Sequence, residues 1–163
     1  STATGVLRPI LSSGVSIVNA PAAARTRAID IVESKSSRPR DYTSLLSVKL
    51  QTSSGERWVE GTVFEPASLR LVSVRGVSVE APLGGTIVLV ANDDQPGVIG
   101  EVGTILGRHG VNIANFALGR GDGGAIGIVS VDEDPSATHI LDAAVDEMRR
   151  VPAIREAWVV RLS

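Results

Sequence analysis

The chain has 163 residues, room for one domain or two small ones, with 43% apolar residues, a net charge of −2 and no cysteine. That balance supports a packed fold over disorder and gives no electrostatic reason to expect nucleic acid or an anionic membrane as partner. It also excludes disulfides, thiol nucleophiles and thiolate metal sites, and it suits the cytoplasm. No apolar run reaches the roughly 18 residues of a membrane span, and no signal-peptide pattern opens the chain. Aromatic residues make up only 3%, so the core must be built from Val, Ile, Leu and Ala. The two halves differ in charge: residues 1–82 carry 10 basic and 7 acidic side chains, residues 83–163 carry 6 and 11. The break falls at Pro82-Leu83-Gly84-Gly85 and predicts a domain boundary there, giving domains 1–82 and 83–163.

In the first half, Val6, Leu7, Ile10 and Leu11 share one face of a short helix over residues 2–12, which needs packing to persist. Pro21 with Ala22, Ala23 and Ala24 starts a second helix ending near Arg27. Residues 28–33 alternate enough to read as a strand. Residues 34–41 form a polar loop. Strands follow at about 43–51, 57–64, 69–74 and 77–80, separated by Thr52-Ser-Ser-Gly55, Glu65-Pro66 and Arg75-Gly76. The short gaps imply a mostly antiparallel sheet, so this half reads as a small α+β domain. Arg25, Arg27, Lys35, Arg38 and Arg40 form a candidate anion- or phosphate-binding cluster. A solvated basic rim is the plainer reading of any one of them.

The second half opens with the uninterrupted apolar run 87–91, a strand covered on both faces. Asn92-Asp-Asp-Gln95 breaks it, and Pro96-Gly97 punctuates. Pro96 suits the first turn of a helix. Val98, Val102, Ile105 and Leu106 then trace one helical face, stopped at Gly110. The free amides at Gly97 and Val98 would carry partial positive charge and could hold a carboxylate. Asp94 could take an ammonium or hydroxyl, and Asn92 and Asn112 offer neutral donors and acceptors. Together they would suit a free amino acid. Equally, Asp94 could simply cap the helix and Asn112 end a turn.

Residues 111–118 read as the next strand. Gly119 to Gly124 satisfies the letter of GxGxxG, but a strand at 125–131 follows it, whereas a dinucleotide fingerprint must lead into a helix. It is therefore read as a hairpin loop. Asp134 and Pro135 mark a helix start, as cap and first residue. Ala137, Ile140, Leu141, Ala144, Val145 and Met148 give the clearest amphipathic pattern in the chain. Residues 154–162 form the last strand, with Trp158 expected to pack. The half is thus β-α-β-β-α-β, the ferredoxin-like split βαβ arrangement, with two helices over one sheet face. The order predicts that Asp94 and Asn112 lie within reach of one ligand. The other sheet face and the edges look less protected, and an open edge invites a second copy. His109 and His139 have no carboxylate at a metal-ligand spacing, no nucleophile motif is present, and neither catalytic nor metal-binding residues are assigned.

Asn92-Asp-Asp94-Gln-Pro96-Gly97-Val-Ile-Gly100, with His109-Gly-Val-Asn112-Ile113, resembles the signature of the ACT domain, a small-molecule regulatory module of amino-acid metabolism. The likeness is greatest to the ACT domain that ends bacterial D-3-phosphoglycerate dehydrogenases. Ser16-Ile-Val-Asn19-Ala-Pro21-Ala-Ala-Ala and Gly61-Thr-Val-Phe64 resemble the intervening, allosteric-substrate-binding domain of the long form of that family. The resemblance implies the C-terminal regulatory portion of a longer enzyme of serine biosynthesis, with its first domain N-terminally truncated. It implies L-serine bound by Asn92, Asp94, Gly97, Val98 and Asn112 at an interface of a homo-oligomer, and an anionic effector at the basic surface of the first domain. The NAD-dependent oxidoreductase site would lie in a preceding part, with no cofactor in this chain. At the position of Asn92 the family often has a histidine or an aromatic residue. The residues themselves leave open an amino-acid-binding module of another metabolic enzyme, or a purely structural dimerisation domain.

Overall fold

The computed structural model describes residues 16, 18–34, 42, 44–64 and 67–162. Contacts divide the chain into two compact units, residues 1–41 and 42–163. In the first, α1 spans Ala20–Arg25, with Pro21 in its opening turn as the sequence suggests. Ser16 donates its backbone N–H to Asn19 Oδ1 (2.7 Å), tying down the approach. Ala20 and Ala24 are buried beneath Ala23 and Ile29. The strand expected at 28–33 is not formed. Ala28 adopts a left-handed φ of 55°, which turns the chain, and Ile31 and Val32 are exposed without a neighbouring strand among the described residues. The helix expected at 2–12 and the cluster members Lys35, Arg38 and Arg40 lie outside the described residues.

The second unit stacks two antiparallel four-stranded sheets. The first is a meander of β1 (Leu45–Thr52), β2 (Gly55–Phe64), β3 (Ser68–Val74) and β4 (Val77–Pro82), paired in that order. The second holds β5 (Thr86–Asn92), β6 (Asn112–Gly121), β7 (Gly124–Asp132) and β8 (Ile154–Arg161) in the order β6-β7-β5-β8. Helices α2 (Val98–Arg108) and α3 (Thr138–Met148) complete the βαββαβ pattern. The α+β class and the ferredoxin-like second half are as the sequence predicts.

Alternation along β5 builds two cores. Val88 and Val90 face Val98, Val102, Ile105 and Leu106 of α2 and Leu141, Ala144, Val145 and Met148 of α3. Ile87 and Ala91 face the other way, with Ile126 and Ile128 of β7, onto Leu71, Val74, Val79 and Ala81 of β3 and β4. The second face, which looks less protected from the sequence, is covered by the meander. The covering explains why β5 has no polar face, since a strand buried on both sides reads as continuous apolar sequence. The approach is close. A Cβ at Gly119 would collide with the carbonyl of Ser78 and with Val79, so β6 can lie against β4 only because that position has no side chain.

The two sheets are also joined by charge. Arg75, in the β3–β4 turn at φ 52°, pairs with Glu156 of β8 at 2.5 Å, and Arg57 approaches the same carboxylate at 3.4 Å. Burial pushes the Glu156 carboxyl up, but the two guanidinium groups outweigh it and hold it below its ordinary value. Trp158 is a correction. It is 37% exposed, lying under Arg75 and Arg57 (5.2 and 5.8 Å from the ring centroid) rather than packed in a core.

Asp134 does not cap α3. Its carboxylate accepts from the backbone N–H and the hydroxyl of Ser136 (2.8 and 2.7 Å), closing a turn, and the helix begins only at Thr138. An Asp that satisfies itself within two residues competes with the helix for the same backbone. His109 ends α2 and hydrogen-bonds Glu147 at 2.8 Å.

Candidate functional site

The loop between β5 and α2 is fixed from three sides. Asn92 is 1% exposed. Its side chain lies within the protein, where Oδ1 accepts from the backbone N–H of Asp94 at 2.9 Å. This asparagine turn holds Asp94 at a left-handed φ of 53°, a conformation that Asp tolerates better than most residues. Asp93 donates its backbone N–H to Ala153 O (3.0 Å) and pairs through its carboxylate with Arg155 Nε (3.0 Å). Arg155 also donates through Nη2 to Asn92 O (2.8 Å) and to Gly123 O. One guanidinium thus ties the end of β5, the loop and the β6–β7 turn together. Gly124, at φ 115°, makes room for it: a Cβ there would strike both Asn92 O and the Arg155 guanidinium.

Held this way, Asp94 does not cap the helix. Gly97 is the N-cap residue, at φ 92°, and no side chain among the described residues caps α2. Asp94 Oδ1 accepts instead from Arg120 Nε at 3.0 Å, and Oδ2 has no partner among the described residues. The Val98 amide, expected to be free, leans on Gln95 O at 3.3 Å. The Gly97, Ile99 and Gly100 amides have no partner among the described residues, so the positive end of the helix is open. Asn92 plays a different part from the one expected. It shapes the loop from inside, and its Nδ2 is buried with no partner among the described residues.

Asn112 stands elsewhere. It opens β6 opposite Asp132 and donates through Nδ2 to Asp132 Oδ2 at 2.6 Å. Asn92 lies opposite Ala125 on the same central strand β7. Seven residues of β7 separate the two positions, about 23 Å at strand rise. The expectation that Asp94 and Asn112 of one chain reach one small ligand is therefore overturned. Strands β5 and β6 are parallel to each other, both antiparallel to β7, so the end of one and the start of the other lie at opposite ends of the sheet.

Arg120 and Arg155 were missed by sequence reasoning. Arg120 was legible in principle: counting back from the Gly121–Gly124 turn sets it opposite Ala125, and Ala125 opposite Asn92. Arg155 carried no local signal, since its partners are 32 and 63 residues away. Residues 119–124 close a hairpin into β7, as their context predicts. Arg25 and Arg27 are exposed on and just after α1. Among the described residues no group of three or more His, Asp or Glu side chains could hold a metal ion.

Comparison with known proteins agrees with this architecture. Residues 1–75 match the family model of the D-3-phosphoglycerate dehydrogenase intervening domain, and residues 86–152 match that of the ACT domain. D-3-phosphoglycerate dehydrogenases of Archaeoglobus fulgidus, Bacillus subtilis and Synechocystis are 34, 33 and 32% identical over 97, 98 and 97% of this chain. The chain spans only 28–30% of the length of these relatives. It belongs, with an intervening domain followed by an ACT domain, to the C-terminal regulatory region of the D-3-phosphoglycerate dehydrogenase family.

Proposed function

We propose that this chain senses L-serine for a D-3-phosphoglycerate dehydrogenase, binding it between the ACT domains of two copies. The observation that carries the reading is the loop at Asp94. A carboxylate oxygen without a partner among the described residues belongs to Asp94, three residues before the open amides at the head of α2. The pair is complementary to the ammonium and carboxylate of a free amino acid. Asn112 completes the receptor from a second copy, because its own chain holds it at the far end of the sheet. Gly97 and Val98 belong to the same carboxylate cradle, and Asn92 supports it from beneath.

On this reading the ACT domain takes residues 83–163 and the intervening domain residues 1–82. The basic residues Arg25, Arg27, Lys35, Arg38 and Arg40 serve a phosphorylated effector. NAD and the hydride-transfer chemistry belong to the catalytic part of the whole protein, in the cytoplasm. Serine must bind two arrangements of the oligomer unequally to regulate anything. A coupling of about 1–3 kcal/mol gives roughly 5–150-fold control. Titration calorimetry of the 163-residue chain with a panel of free amino acids tests this. Serine should bind and Asp94→Ala and Asn112→Ala should each weaken it. Preference for a branched or aromatic amino acid, or no binding by a chain that still dimerises, rejects it.

A further inference from the structure

The β3–β4 turn and the β6–β7 turn face each other across a cavity of about 380 Å³, lined among others by Arg75, Asp122, Gly123, Gly124, Arg155 and Glu156. That volume is in the range of small-molecule sites. The cavity shares Arg155 with the tether of the Asp94 loop, but neither Asp94 nor the amides at the head of α2 line it. Ala91 and Ile126, which also line it, belong to the sheet face turned away from the helices.

Its charged groups are incompletely satisfied. Arg155 uses Nε on Asp93 and Nη2 on two carbonyls, which leaves Nη1 without a partner among the described residues. Arg75 pairs with Glu156 through Nη2 and lies over Trp158, which leaves Nε and Nη1. Arg75 is partly withdrawn from water, at 24% exposed, whereas Arg155 is exposed at the mouth, at 46%. Charged donors without acceptors in such a place favour an anionic group planar enough to take two of them. Asp122, on the β6–β7 turn, has no partner among the described residues. Two guanidinium groups and two carboxylates make the lining neutral in sum. A doubly charged phosphate therefore gains little, whereas a molecule carrying both signs gains at each end.

We propose that this cavity binds a small α-amino acid within a single chain, its carboxylate on Arg75 and Arg155 and its ammonium on Asp122. Val77, Ala91 and Ile126 leave an apolar wall for a short side chain. The site needs no second copy and does not rest on the serine reading above.

The test is amide-resolved NMR titration of the 163-residue chain with glycine, L-serine, L-lactate and inorganic phosphate. Glycine and L-serine should shift the Gly123 and Gly124 amide signals, with L-lactate weaker for want of an ammonium. Arg75→Gln should weaken glycine about 10-fold or more, the loss of one charge-assisted hydrogen bond. Gly123→Leu keeps the arginines and sets a bulky side chain on the lining turn, at a position where a Cβ meets nothing within 4 Å; it should also abolish the response. Asp94→Ala should leave it intact, which separates failure here from failure of the serine site. Absence of any shift at millimolar ligand overturns the proposal. So does a shift that survives both Arg75→Gln and Gly123→Leu, or phosphate or lactate binding as tightly as glycine.

Discussion

If serine is shared between two copies, two crippled chains should repair each other. Asp94→Ala removes one end of each receptor and Asn112→Ala the other. In either homodimer every shared site is broken. Each substitution deletes a hydrogen bond to a charged ligand group, a loss of about 1.5–3 kcal/mol, or roughly 10–150-fold in affinity. In a dimer containing one chain of each kind, two-fold symmetry collects both substitutions in one site and leaves the other site whole. Random mixing makes half of all dimers mixed, so about a quarter of all sites should recover full affinity. The assay is calorimetric stoichiometry after the variants are unfolded and refolded together, with mixed dimers counted by native mass spectrometry. The distance drives the prediction: at about 23 Å apart along β7, the two ends of one chain cannot touch one serine, given the pairings of Asn92 with Ala125 and Asn112 with Asp132. Mixed dimers that bind no better than the parent variants would refute shared binding. So would a single variant that binds like the original chain.

Three further outcomes follow from the packing. Gly119→Ala should destabilise the chain by about 1–3 kcal/mol, because its Cβ runs into the Ser78 carbonyl and Val79 and must push β6 off β4; urea unfolding measures it, and an unchanged midpoint would mean the two sheets do not meet there. Leu106→Ala, at a fully buried position between α2 and the sheet, should cost about 2–5 kcal/mol by the same method. Glu133 supplies the pH dependence. The Arg161 guanidinium hydrogen-bonds its carboxylate and holds it below its ordinary value; burial opposes this, and the Thr86 hydroxyl adds to it. A depressed carboxyl stabilises the fold above its unfolded pKa, and that stabilisation fades as pH falls through the lower native value. Glu133→Gln should therefore lower Tm at neutral pH and flatten the fall of Tm as pH drops below the ordinary carboxylate range; an equally steep fall in the variant would remove Glu133 from the account.

Periodicity served well wherever a segment had one dry face or two. Residues 87–91 announced a doubly covered strand, and β5 is one. The helical spacing from Val98 to Leu106 predicted α2 to within a turn, and the hairpin separators in the meander set β1 to β4 within two or three residues. The errors came where local hydrogen bonds competed with the pattern. Asp134 kept its carboxylate for Ser136 and delayed α3 to Thr138. Ala28, which nothing in the sequence marks as a turn residue, broke the expected strand by adopting positive φ. The covering of the second face by the meander was not legible either. Apolar alternation in β3 and β4 says that a face is buried, not what buries it.

The site was half legible for a reason that lies in connectivity. The residue types around Asp94 marked a polar loop at the head of α2, and local chemistry was enough to find it. The error was to treat closeness along the chain, through one helix, as closeness in space. A strand, a helix and a parallel strand must return the chain to the end from which it started, because the helix runs antiparallel to both strands. A motif that places one polar cluster after the first strand and another before the second therefore always sets them a strand length apart, and here that length is fixed by the register of β7. Two such clusters can act on one small molecule only if a second chain brings the opposite end of its sheet alongside. If Asp94 and Asn112 grip one ligand, as proposed above, sharing between copies is a consequence of the topology and not an added feature. An effector held this way is sensitive to the packing of the copies for the same reason.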